Sequence, residues 1–313
     1  MSIAAIVIGR NEGARLIACL DALGGLSPVI YVDSGSTDGS VAAAQARGAQ
    51  VVSLDMSQPF TAARARNAGL AVLPDGTELV QLLDGDCVVQ EGWLEQAQAF
   101  LADTPDVAVV CGRRREMHPD ASVYNRLIDG EWDTPVGEAL ACGGDALMRV
   151  AALAAVGGYR DDLIAGEEPE LCVRLRQAGW RIWRLDAEMT AHDAQITRLG
   201  QWWKRSKRAG HAFAEGAALH GAPPERHWVA ETRRALLWGA GGPVLALLLA
   251  LAFGPVGLLA LLIYPLQVAR LSRRGGWTWA FFSVFGKFAE ARGALGFYWR
   301  RLSGGQKRLI EYK

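Results

Sequence analysis

LLDGDCVV, residues 82–89, sets two carboxylates one residue apart at the end of an apolar run. The run Leu79–Leu83 reads as a strand, and Asp84 and Asp86 leave it together. The same grammar recurs upstream: Ile3–Ile8 runs into Gly9–Glu12, and Val29–Val32 into Asp33–Asp38. Gln50–Leu54 reads as a further strand. Helical stretches lie between, at Glu12–Leu23, Ser40–Arg47, Thr61–Leu73 and Gly92–Asp103. Strands alternating with helices predict an α/β fold, a parallel sheet with helices on both faces. Such sheets bind ligands beyond the carboxyl ends of their strands, where the polar clusters fall. No GxGxxG follows the first strand and no GxxxxGK[ST] occurs, which excludes dinucleotide dehydrogenases and P-loop enzymes.

The chain has 313 residues, 50% of them hydrophobic, which is too apolar for disorder. Its five cysteines, Cys19, Cys87, Cys111, Cys142 and Cys172, are widely spaced with no CxxC pair. That pattern predicts reduced thiols in place of a disulfide scaffold or a zinc cluster. Ser2–Gly9 is apolar without a basic leader, so no secretory signal is expected there. The net charge of zero conceals a division. Residues 1–197 hold 15 Lys and Arg against 28 Asp and Glu, and residues 198–313 hold 18 against 5.

The basic half contains 35 consecutive uncharged residues, Ala235–Ala269. About 20 such residues span a bilayer, so this run exceeds an ordinary core helix. Gly254-Pro255 breaks it into Ala235–Phe253 and Val256–Ala269. Arg233 and Arg234 flank one end, and Arg270, Arg273 and Arg274 the other. Basic residues on both flanks predict a hairpin, spanning or re-entrant, with both ends cytoplasmic. Trp277–Tyr298 is aromatic-rich and amphipathic and reads as an interfacial helix. Lipid is the expected partner of this basic surface, and nucleic acid is not. The expected organisation is a catalytic domain over 1–197, basic Trp-containing interfacial helices over 198–234, the hairpin over 235–269 and an amphipathic basic segment over 270–313.

Asp84 and Asp86 repel each other, and a hard divalent cation relieves that repulsion. The motifs around them occur in a definite order: IVIGRNEG at 6–13, VDSGSTDGS at 32–40, ARARNAGL at 63–70, LLDGDCVV at 82–89, CGGDALMRV at 142–150 and GEEPELCVRLRQAGW at 166–180. Over residues 1–197 this series resembles the family 2 glycosyltransferases of GT-A fold, a Rossmann-like domain, here followed by membrane-associated helices.

The resemblance implies inverting transfer from a nucleotide-diphospho-sugar to an acceptor hydroxyl, with Mg²⁺ or Mn²⁺ as cofactor. It assigns Asn11, Glu12, Asp33, Arg64 and Asp84 to the donor, with Ser34 replacing the family's second Asp. Asp84, Asp86 and His192 are the implied metal residues, and Asn67 fixes local backbone. Gly143, Gly144 and Asp145 fall on the acceptor side, as do Trp202 and Arg205. Where the family has an ED pair, this chain has Glu167-Glu168, which makes Glu168 the expected general base. Glu167, Glu168 and Glu170 also suit a helix N-terminus by charge alone. Arg113, Arg114 and Arg115 are either an anionic-acceptor site or a solvated run. The family's QxxRW is absent at 201–205, which favours single-sugar transfer over polymerisation. The expected acceptor is a lipid-linked or membrane-proximal glycan in envelope or extracellular polysaccharide assembly. The expected location is the inner membrane, with the catalytic domain facing the cytoplasm. The alternatives are a polyprenyl-phosphate sugar transferase and a non-catalytic assembly scaffold.

Overall fold

The computed structural model describes residues 1–304 and divides into two compact units, the first Met1–Thr197, the second beginning at Arg198. The first is built on a nine-stranded sheet: β1 (Ile3–Gly9), β2 (Val29–Asp33), β3 (Gln50–Ser53), β4 (Leu79–Asp84), β5 (Cys87–Val89), β6 (Val107–Glu116), β7 (Gly137–Ala139), β8 (Ala146–Arg149) and β9 (Arg181–His192). The order is β3-β2-β1-β4-β8-β6-β9-β5, with β7 added on β9. Its helices are α1 (Ala14–Ala22), α2 (Ser40–Ala46), α3 (Ala62–Leu70), α4 (Trp93–Asp103), α5 (Val123–Glu131), α6 (Val150–Ala155) and α7 (Glu167–Gln177).

The first half of the sheet, β3 through β4, is parallel, as the alternation of strands and helices predicts. Beyond β4 the sheet is mixed. β8 runs antiparallel to both β4 and β6, β6 and β9 are parallel, and β5 is antiparallel to β9. The four strands read from the sequence are thus parallel, and the antiparallel pairings involve strands beyond them. β5 follows β4 after two residues, too few for the crossover that parallel pairing needs, and it pairs with β9 instead.

Register lines up the polar ends. Gly9 of β1 lies beside Asp33 of β2, and Ile8 beside Asp84 of β4. Along β4 the side chains of Leu79, Val80, Leu82 and Leu83 are fully buried, as is Gln81. The one polar group in that run is satisfied: Trp93 of α4 donates its Nε1–H to Gln81 Oε1 at 2.9 Å.

In the second unit, α8 (Leu199–His220) packs along the later part of α11 (Ile263–Ser303). The approach is close because small residues face each other, Gly210 against the Glu290 backbone and Gly293 against the Lys207 backbone. Trp202 is buried here, stacked on Phe285 and edge-on to Phe282. Trp277–Tyr298, read from sequence as an interfacial helix, thus covers one face with α8 through Ala280, Val284, Ala289, Ala294 and Phe297. Trp277 and Phe281 remain exposed. Two further helices, α9 (Val229–Leu236) and α10 (Gly242–Phe253), lead into a 3₁₀ segment, Gly254–Leu262.

Trp93→Phe tests the support beneath β4. It keeps most of the ring but leaves Gln81 Oε1 buried without a donor, at a cost of about 1–3 kcal/mol. A lowered urea midpoint for the variant, with the secondary structure unchanged, is the expected outcome. An unchanged midpoint refutes the role of that hydrogen bond.

Candidate active site

Arg66 is the hub of the site. α3 starts at Thr61, whose side chain caps the Arg64 N–H, and Ala63, Arg66 and Gly69 repeat along its buried stripe. Arg66 is 2% exposed. Its Nη2 donates to Asp84 Oδ1 at 2.9 Å, and its Nη1 reaches Glu167 Oε1 at 3.3 Å and Glu168 Oε1 at 2.5 Å. The guanidinium also lies 5.6 Å from the centroid of the Tyr159 ring.

A second, half-buried arginine completes the row. Arg114 of β6 places Nη2 3.4 Å from Asp84 Oδ2 and Nε 3.5 Å from Asp145 Oδ2, and it stacks 4.8 Å over the Trp132 ring. Burial pulls against ionisation of Asp84, but the two arginines outweigh it and hold the carboxyl below the usual range. Burial pushes Glu168 up to about 7 against the pull of Arg66, with the charges of Glu167 and Asp84 adding to the rise. The glycine of this cluster is required by space: a Cβ on Gly144 would sit 2.8 Å from Arg66 Nη2 and 2.9 Å from Asp84 Oδ2.

Asp86, 4% exposed, meets His192 Nε2 at 3.3 Å, and Trp132 stands edge-on to the imidazole with centroids 4.9 Å apart. Asp86, Cys87 and His192 offer ligand atoms within 4.8 Å of one another, and Asp84, Cys87 and Asp145 form a second such group. Burial raises the Cys87 thiol well above its ordinary value despite Arg114, and sulfur is a soft partner for a hard divalent cation. Carboxylate oxygen with imidazole is a donor set that suits Mn²⁺ or Mg²⁺, and these residues fit such an ion.

The other residues singled out in the sequence divide. Asp33 Oδ2 accepts the N–H groups of Gly35 and Ser36, and Oδ1 accepts the Tyr31 hydroxyl, which fixes the loop beside β1. Asn11 Oδ1 accepts the Thr37 N–H across that loop, and Glu12 pairs with Arg15. Asn67 does fix backbone, bonding both Tyr159 N–H and Tyr159 O. Gly143 is exposed beside the buried Gly144.

Three assignments need correction. Arg64 spends its guanidinium on the carbonyls of Asp55, Gln58 and Pro59, so the arginine of ARARNAGL that enters the cluster is Arg66. Asp145 is fully buried, with Oδ1 taken by the Asp84 N–H and Oδ2 by Thr190; it braces β4 instead of facing an acceptor. Trp202 is a packing residue of the second unit, 4% exposed, and Arg205 near it is half-buried.

Glu167 and Glu168 open α7 after Gly166, but helix-dipole stabilisation alone does not describe them. Both meet Arg66, whereas Glu170 pairs with Arg174 on its own helix at 2.8 Å. The arginine run also separates. Arg113 holds Asp129, Arg114 enters the site and Arg115 makes an exposed pair with Glu188. Arg113, Arg115 and Arg184 line a cleft of about 270 Å³ opposite Asp133, Asp186 and Glu188, so its charge is balanced and not cationic. Arg66 and Arg114 were missed as hubs. The three-residue spacing of Ala63, Arg66 and Gly69 carries the signal for Arg66; Arg114 shows only in the strand register.

Residues 4–152 match the family model described as glycosyl transferase family 2. The first unit thus carries a glycosyl transferase family 2 domain. Among relatives of the chain is the pre-mycofactocin glycosyltransferase of Mycobacterium tuberculosis, 30% identical over 84% of this chain. The chain spans 56% of that relative's length. Succinoglycan biosynthesis protein ExoA of Rhizobium meliloti is 28% identical, with 80% of each protein covered. Among solved structures, mannosyltransferase PcManGT from Pyrobaculum calidifontis in complex with GDP-Man and Mn²⁺ superposes with a TM-score of 0.67. The identity is 22%, with 94% of this chain and 86% of that one covered, and the likeness fixes the fold as GT-A.

Arg66→Ala strands Glu167 and Glu168 without their cation and leaves Asp84 with Arg114 alone. A loss of about 3–5 kcal/mol in unfolding free energy is expected. Arg64→Ala, half-buried and bonded to carbonyls, costs about 1 kcal/mol. Urea titrations of the two variants check this, and equal losses contradict the hub assignment.

Proposed function

We propose that this glycosyltransferase transfers a single sugar, with inversion, from a nucleotide-diphospho-sugar to an acceptor hydroxyl. The observation that carries the reading is the Glu168–Arg66–Asp84 bridge, which joins the candidate base on α7 to the DxD strand end through one buried cation. Donor and base must converge on one anomeric carbon, and this bridge supplies the convergence.

In the proposed reaction, Glu168 takes the proton of the acceptor hydroxyl while that oxygen bonds to the anomeric carbon. The bond from that carbon to the nucleoside diphosphate breaks in the same displacement. A carboxylate pushed up to about 7 is matched to this task near neutral pH, where such a base contributes about 10²- to 10⁴-fold. Arg66 holds the Glu168 carboxylate in place, and Asp145 braces the Asp84 backbone. Asp86 and His192, with Asp84, would hold Mg²⁺ or Mn²⁺, which neutralises charge on the departing diphosphate when bound. The loop ends at Asn11, Glu12 and Asp33 are assigned to the nucleotide, and the exposed Gly143 to the acceptor.

The acceptor is proposed to be a lipid-linked or membrane-proximal glycan in envelope or extracellular polysaccharide assembly, at the cytoplasmic face of the inner membrane. The relative named for succinoglycan biosynthesis supports the setting. So does the apolar stretch of the second unit, long enough to enter a bilayer and almost wholly unburied.

Glu168→Gln removes the proton acceptor and keeps the shape. The expected result is a fall in kcat of about 10²-fold or more with little change in apparent donor affinity. Because Glu168 acts as the ionised form, kcat/KM of the unmodified enzyme should fall as pH drops through about 7, and the residual rate of Glu168→Gln should lack that limb. Equal, mild losses in Glu167→Gln and Glu168→Gln refute the assignment.

Activity is expected to vanish with EDTA and to return with Mn²⁺ or Mg²⁺. Turnover by Asp86→Ala in EDTA at the unmodified rate refutes the metal site.

A further inference from the structure

The apolar stretch of the second unit is a hairpin with a measurable depth. Gly254 has φ +71°, a conformation that favours glycine, and there the chain turns back. The returning limb lies against the outgoing one. A Cβ on Gly257 would meet the backbone of Leu249 and Ala250, a Cβ on Gly242 would strike the Tyr264 hydroxyl, and that hydroxyl donates to Trp238 O at 2.5 Å. These pairings are antiparallel with the tip at Phe253–Gly254.

The open end of the hairpin is built differently from its shaft. Trp238 and Tyr264 face each other edge-on, Tyr264 packs on Phe288, and Gly239 sits against the Lys287 backbone. Past that level the side chains face outward, with Leu251 77% and Phe253 71% exposed. On the near side arginines predominate: Arg234, paired with Glu231, four residues before Trp238, and Arg270 six residues after Tyr264, about 6 Å and 9 Å along a helix. Arg233, Arg273 and Arg274 extend the same exposed belt.

We infer that this hairpin enters an anionic bilayer from one side and returns to that side without crossing. The inference rests on the membrane-associated reading above and fixes its topology. From Gly242 to Phe253, twelve residues of α-helix rise about 18 Å. The nine-residue 3₁₀ limb covers about the same distance. A hydrocarbon core is about 30 Å thick, so the tip passes the midplane and stops short of the far headgroups. Trp238 and Tyr264 lie where aromatic side chains favour the interface, and the arginines lie where they meet lipid phosphate. At the tip, Pro255 has no N–H to leave unsatisfied in lipid.

The test uses single-cysteine variants of the full chain, Phe253→Cys, Arg234→Cys and Arg270→Cys. A membrane-impermeant maleimide is applied to inside-out and to right-side-out membrane vesicles. All five native cysteines are buried, so the unmodified chain is the blank. Arg234→Cys and Arg270→Cys should label in the same vesicle orientation. Phe253→Cys should label in neither, and fully after denaturation. Labelling of Phe253→Cys from the face opposite to Arg234 overturns the inference, as does labelling of Arg234→Cys and Arg270→Cys from opposite faces. Release of the chain by carbonate overturns the membrane reading itself. Continued protection of Phe253→Cys in that released protein assigns the apolar face to a second copy of the chain.

Discussion

One buried guanidinium organises the first unit. Arg66 meets Asp84 from the end of a strand and Glu167 and Glu168 from the start of a helix, elements separated by about eighty residues of chain. Three carboxylates in a low-dielectric site cannot stay ionised near one another without a cation among them. Arg114 continues the pattern, so that acids and arginines alternate from Glu168 through Asp84 to Asp145. The alternation holds Asp84 below the usual carboxylate range, whereas burial pushes Glu168 up to about 7. Differences in surroundings thereby shift the protonation of similar side chains in opposite directions.

The second unit follows two packing rules within one chain. Where α8 meets α11, glycines and alanines let backbones approach, and aromatic rings fill the remaining space. Along α10 and the 3₁₀ segment the large side chains turn outward instead. In water this would expose a wide apolar surface, whereas the sequence supplies an arginine belt where that surface ends. Burial inside a protein and burial in lipid select the same residue types but opposite orientations.

Sequence legibility followed the range of the forces involved. Strand ends, helix starts and the paired acids of LLDGDCVV are local, and they were readable because hydrophobic period and turn chemistry act over a few residues. Asn67 reads as fixing local backbone, yet the backbone it binds is that of Tyr159, 92 residues away. The site residues that were misassigned fail for a common reason. Arg64 and Arg66 stand two positions apart in ARARNAGL and differ only in which side of α3 they face. Asp145 looks like a sugar ligand beside two glycines, yet its oxygens are consumed by Thr190 and the Asp84 N–H, partners 45 and 61 residues away.

The amino-acid sequence by itself determined the α/β alternation, the family resemblance, the acidic first half and the apolar stretch with its break at Gly254-Pro255. Those properties follow from composition and short-range pattern, which any window of the chain contains. Only the tertiary structure decided that the sheet turns mixed beyond β4, that Arg66 and Arg114 carry the site, and that Trp202 is core. Each of these depends on which distant segments become neighbours. A buried charge is defined by its partner, and the partner is fixed by the fold.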